Sequence, residues 1–99
     1  MIKLITAAIL IFTVNFAVLA DKQTPMEICA IIAGQSYNIM TFRQANGDLV
    51  ELMSLSDNEA FAIVVKKAYA RPLYQVQKNK QQEIQEFKNE MFIWCMEQL

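Results

Sequence analysis

Two cysteines, Cys29 and Cys95, stand 66 positions apart in a chain that contains no others, and the segment before them decides what they can do. Met1 to Ala20 carries a cation, Lys3, then an apolar run from Leu4 to Val14, then a Val18-Leu19-Ala20 ending before Asp21. These are the three parts of a secretory signal peptide. Export would put residues 21–99 in an oxidising compartment, where two lone cysteines are expected to pair. The apolar stretch Leu4–Ala20 is at the short edge of what can span a bilayer, and Asn15 interrupts it. Cleavage is therefore expected over the alternative, an uncleaved anchor that would tether the same domain through its leader. The residue directly after Ala20 is Asp21 and not a cysteine, which argues against a lipoprotein.

A Cys29–Cys95 bond is a statement about topology. It joins a position one turn into the first expected helix to one near the end of the last, so those helices must lie side by side and antiparallel. Closing a loop of 66 residues removes conformational freedom from the unfolded chain worth about 4 kcal/mol, a large share of a total stability of about 5–15 kcal/mol. The alternative is a pair of buried free thiols. A cysteine nucleophile lacks its usual activator, because the chain contains no histidine.

The helices announce themselves by their ends. Thr24-Pro25-Met26-Glu27 is a capping box with proline at the first helical position, and predicts a helix over about 25–45. Asn46-Gly47 should end it, with glycine taking the left-handed conformation. Asp48-Leu49-Val50-Glu51 and Ser56-Asp57-Asn58-Glu59 repeat the capping pattern and predict helices at 49–55 and 57–70. Arg71-Pro72 stops the latter. The last helix, about 78–97, recurs at three and four through Ile84, Phe87, Met91, Trp94 and Cys95. The expected fold is all-α: one small three- to four-helix domain, closed by one disulfide and preceded by a signal peptide. Its core should draw on Ile28, Ile32, Ile39, Leu52, Phe61, Val64, Val65, Ile84, Phe87, Met91 and Trp94, with Gln35, Asn38 and Thr41 toward solvent. Gly34, costly inside a helix, would permit close helix approach.

Charge and composition narrow the functional classes. The net charge of −1 becomes −2 once Lys3 leaves with the leader, and the signs alternate along the chain. That surface offers no basic field for phosphates, so nucleic acid is not an expected partner. Without histidine the commonest general base and zinc ligand are missing, and two glycines make no phosphate loop. The acidic strip Glu83, Glu86 and Glu90 reads as a solvated face interleaved with Lys80 and Lys88. No catalytic residues, metal or cofactor are therefore expected, and the chain is not read as an enzyme.

Five residues are candidates for contact with a partner: Arg43 and Gln44 at the end of the first helix, and Tyr69, Arg71 and Tyr74 around the corner at Pro72. Arginine and tyrosine anchor interfaces because each joins apolar area to polar reach. The plainer account has Arg43 satisfying helix-terminal carbonyls and the tyrosines lidding the core. The five mature methionines divide likewise between an adaptable binding surface and core filler.

The residues Cys29, Arg43-Gln44, Gly47, Ala68-Tyr69, Pro72, Tyr74, Phe87 and Cys95 resemble a pattern found in small exported proteins of Gram-negative bacteria and their phages or prophages. It spans almost the whole mature chain. What the resemblance implies is an exported, disulfide-closed helical domain without an assigned activity, periplasmic or secreted. The periplasmic acid-stress chaperones are similar in architecture alone. The leading expectation is a module of inhibitor, immunity or exclusion type that binds another protein in the cell envelope, itself a monomer or weak homodimer; the alternative is a small stress chaperone.

Overall fold

The structure, a computed structural model, describes residues 24–56 and 58–99. The leader and its cleavage point lie outside the described residues, as does Asp57. Four helices follow in order: α1 (Pro25–Gln44), α2 (Leu49–Met53), α3 (Glu59–Tyr69) and α4 (Gln77–Gln98). Among the described residues there is no strand, and no helix is long and apolar enough to cross a membrane.

The capping box at Thr24 closes in both directions. The Glu27 amide donates to Thr24 Oγ1 at 3.2 Å, and the Thr24 amide donates to Glu27 Oε1 at 2.9 Å. Asp48 Oδ2 accepts from the Glu51 amide at 2.8 Å and starts α2. At α3 the cap is Asn58, whose Oδ1 accepts from the Phe61 amide at 2.8 Å. The expected start at 57 thus moves to Glu59, and Ser56 instead donates to the Asn58 carbonyl.

The end of α1 corrects a more instructive expectation. The left-handed residue is Asn46, at φ 63°, while Gly47 keeps a negative φ. Asn46 N–H donates to the Arg43 carbonyl and Gly47 N–H to the Phe42 carbonyl, at 2.9 and 2.8 Å, the two bonds of a Schellman motif. Glycine is required at 47 for space, since a Cβ there would run into the Phe42 ring. Gly34 serves no such purpose: it is exposed, and a Cβ on it would meet nothing within 4 Å. The close helix approach expected there does not occur.

α1 is the hub. It packs along α4 on one side and against α3 on the other, while α2 rests on α3. The buried apolar residues are Cys29, Ile32, Ala33, Ile39, Met40 and Phe42 of α1, Leu52 of α2, Phe61, Val64, Val65 and Ala68 of α3, and Ile84, Phe87, Met91 and Cys95 of α4. Full burial of each large apolar side chain contributes about 1.5–3 kcal/mol relative to exposure. Ile28 and Trp94, expected in the core, are only partly buried and pack against it. Gln35, Asn38 and Thr41 are also partly buried, on a helix packed by both α3 and α4. Ser36, at a core position, is satisfied by donating to the Ile32 carbonyl at 2.8 Å.

Cys29 and Cys95 form the disulfide, with their Cα atoms 5.5 Å apart and both residues buried. It locks the start of α1 to the end of α4. At the opposite end Lys80, in the first turn of α4, donates through Nζ to the carbonyl of Gln44, the last residue of α1. The two helices therefore run antiparallel, as the cysteine spacing requires.

Candidate functional site at the corner after α3

The chain leaves α3 at Tyr69 and reaches α4 at Gln77 through an irregular corner. That corner has no ladder to satisfy its backbone, so its amides and carbonyls must find partners elsewhere. The end of α1 supplies them. Arg43 Nη2 donates to the Arg71 carbonyl at 3.0 Å, and Gln44 Nε2 donates to the Pro72 carbonyl at 2.8 Å. Gln44 Oε1 in turn accepts from the Tyr74 amide at 3.0 Å. The Gln44 residue is only 2% exposed, and its amide is thereby used as both donor and acceptor.

Arg43 also lies over the Tyr69 ring, its guanidinium carbon 5.0 Å from the centroid. Such a cation–π contact adds to the bond to Arg71 without needing another acceptor. The Tyr69 hydroxyl donates to the Gly47 carbonyl at 2.7 Å and so ties α3 to the turn after α1. Burial pushes the Tyr69 phenol up to about 12; Arg43 opposes the shift, and Asp48 and Glu51 add to it. At neutral pH the group is a hydrogen-bond donor, not a poised acid.

Arg71 forks to α4. Its Nε donates to Glu83 and its Nη1 to Glu90, at 2.5 and 2.6 Å. The bonds to Glu90 and then Glu83 raise the guanidinium further above its ordinary range, so Arg71 stays cationic at any accessible pH. Glu83, read from the sequence as part of a solvated strip, is buried, whereas Glu86 and Glu90 are exposed. A buried carboxylate needs such a partner, since desolvation alone would be costly.

All five sequence-selected residues, Arg43, Gln44, Tyr69, Arg71 and Tyr74, meet at this one corner. Each of the first four makes at least one side-chain hydrogen bond within the chain, and the amide of Tyr74 is bonded too, while the buried Arg43 Nε has no hydrogen-bond partner. What the arrangement does chemically is hold: it ties α1, the corner and α4 into one brace. No family model, no curated protein and no solved structure matches the chain.

Two clefts flank the brace. One, of about 400 Å³, is of mixed polar and apolar character and lies between the end of α1 and the start of α4, lined by Thr41, Asn46, Leu73, Lys80 and Ile84 among others. The second, of about 380 Å³, runs between α3 and the C-terminal half of α4 over Phe87, Met91 and Trp94. Lys67 Nζ stands 5.6 Å from the centroid of Trp94 on its rim. Among the described residues no group of three or more His, Cys, Asp or Glu side chains could hold a metal ion.

Sequence reasoning missed Glu83 and the second cleft. The signal for Glu83 was its place on the stripe Glu83, Phe87, Glu90, Trp94, which puts an acid beneath Arg71 and next to an aromatic. For the cleft it was Ile93, an apolar residue beside Trp94 that is left 57% exposed on the rim.

Proposed function

We propose that the chain is an exported, disulfide-closed helical module that binds another protein in the cell envelope, in the manner of an inhibitor, immunity or exclusion factor. The Cys29–Cys95 bond carries this reading: it is buried, it closes 66 residues, and such bonds persist outside the reducing cytoplasm. Two further observations support binding. The brace makes the scaffold rigid, which lowers the entropy lost on association. At the stapled end, one turn beyond each cysteine, Met26 and Leu99 are 62% and 68% exposed, and exposed apolar side chains grouped at one place mark contact surfaces.

The test combines location with contact. The full chain, expressed in a Gram-negative host with a photo-crosslinking residue at Leu99 or, as control, at the exposed outer-face residue Gln85, is fractionated and irradiated. The expected result is envelope localisation and one adduct of reproducible mass from position 99 alone. Cytosolic protein, or adducts that do not differ between the two positions, would overturn the reading.

A further inference from the structure

Asn46 is the only asparagine in the chain that is followed by glycine, and the fold grips the bond between them. Asn46 is exposed and left-handed at φ 63°. The Gly47 N–H donates to the Phe42 carbonyl at 2.8 Å, and the Gly47 carbonyl accepts from the Tyr69 hydroxyl at 2.7 Å. A Cβ on Gly47 would run into the Phe42 ring. Gly47 is thus held at its nitrogen, its α-carbon and its oxygen, from α1 on one side and α3 on the other.

We infer that Asn46 is a guarded deamidation site, closed while this turn is formed and reactive once it opens. Hydroxide takes the Gly47 amide proton and the nitrogen attacks Asn46 Cγ, so that the N–Cγ bond forms and the Cγ–Nδ2 bond breaks. The departing nitrogen takes a proton from water and leaves as ammonia, which restores the hydroxide. Water then opens the cyclic imide at either carbonyl, leaving aspartate or isoaspartate at position 46. Glycine favours the attack because no Cβ crowds its nitrogen, and the exposure of Asn46 admits hydroxide and water. In the imide, Cγ stands where the Gly47 amide hydrogen stood. That hydrogen points at the Phe42 carbonyl, so its bond must break and the peptide must turn before the ring can close. Turning it pulls Gly47 from the Phe42 ring and from the Tyr69 hydroxyl. The change is also one-way. Isoaspartate adds a methylene to the main chain and shifts Gly47 out of register with Phe42, while aspartate places a negative charge at the negative end of the α1 dipole. The reaction needs neither export nor a partner.

The disulfide-bonded protein is incubated at mildly alkaline pH, and conversion at position 46 is followed by ion exchange and peptide mass. The same incubation in guanidinium chloride gives the rate of the open chain. The folded protein should convert at least about tenfold more slowly, since two hydrogen bonds hold Gly47. Tyr69→Phe removes one of them and should speed conversion of the folded protein about fivefold, with a matching rise in hydrogen exchange at the Gly47 amide. Ile32→Val, a change of similar cost at a buried position nearer the start of α1, should leave both rates close to those of the parent. Circular dichroism checks that both variants stay folded. A rate that rises as much in Ile32→Val as in Tyr69→Phe would assign control to global unfolding and overturn the inference. So would a folded protein that converts as fast as the open chain, a Tyr69→Phe protein no faster than the parent, or an open chain that does not convert at Asn46.

Discussion

Replacing Gln44 by leucine tests the brace at its centre. The native amide satisfies two backbone groups of the corner, the Pro72 carbonyl at 2.8 Å and the Tyr74 amide at 3.0 Å, from a position 2% exposed. Leucine fills a similar space but offers neither donor nor acceptor. A buried backbone group left unpaired costs about 1–3 kcal/mol. The corner is only partly buried, so the lower half of that range applies and the two groups together lose about 3 kcal/mol. The added apolar burial of leucine returns about 1 kcal/mol. The net expectation is a loss of about 2 kcal/mol, which moves a urea midpoint by about 1–2 M for a domain of this size. Gln44→Glu should lose more, because a carboxylate still accepts from Tyr74 but faces the Pro72 carbonyl without a proton to give. Hydrogen exchange supplies the local reading: the Tyr74 amide should lose protection in Gln44→Leu and keep part of it in Gln44→Glu. A stability change under about 0.5 kcal/mol with unchanged Tyr74 protection would refute the reasoning.

Gly34→Ala should stabilise the domain by about 1 kcal/mol, because the new methyl meets nothing; thermal unfolding should show a rise of a few degrees. Arg71→Met strands the buried Glu83 carboxylate and should cost about 3 kcal/mol. Adding Glu83→Gln should recover part of that, and a double variant no more stable than the single one in the same melt would count against the pairing. Tyr69 should be the last tyrosine to ionise in an ultraviolet titration, at about 12, and Tyr69→Phe should abolish that step. The folded state keeps the Tyr69 proton where the unfolded chain gives it up. Its contribution to stability is therefore complete below pH 10, the ordinary tyrosine value, and falls away as the pH rises toward 12.

The helices and their antiparallel pairing were legible in the sequence because each rests on a local rule: a capping box, a proline, a three-four stripe, or a cysteine pair whose bond fixes neighbours. The exceptions lie where tertiary contacts overrode such a rule. Asn46, not Gly47, holds the left-handed position, and glycine stands at 47 for space beside the Phe42 ring, which no local pattern reveals. Glu83 reads as solvated from its interleaving with Lys80 and Lys88, but Arg71 covers it from twelve positions away. The five residues were recognised as candidates at two separate corners; that they meet, and that they brace inward, depends on which carbonyls lie within reach. Trp94 follows the core stripe but sits at its edge, where Lys67 shares it with solvent.

The covalent tie between the two ends of the domain underlies its topology, much of its stability and its proposed compartment. Protein recovered from the cell envelope, alkylated under denaturing conditions without prior reduction and weighed intact, reports on that tie directly. The account predicts a chain that begins after Ala20 and takes up no alkyl group until a reductant is added, then two. Two alkyl groups taken up without reductant would contradict it.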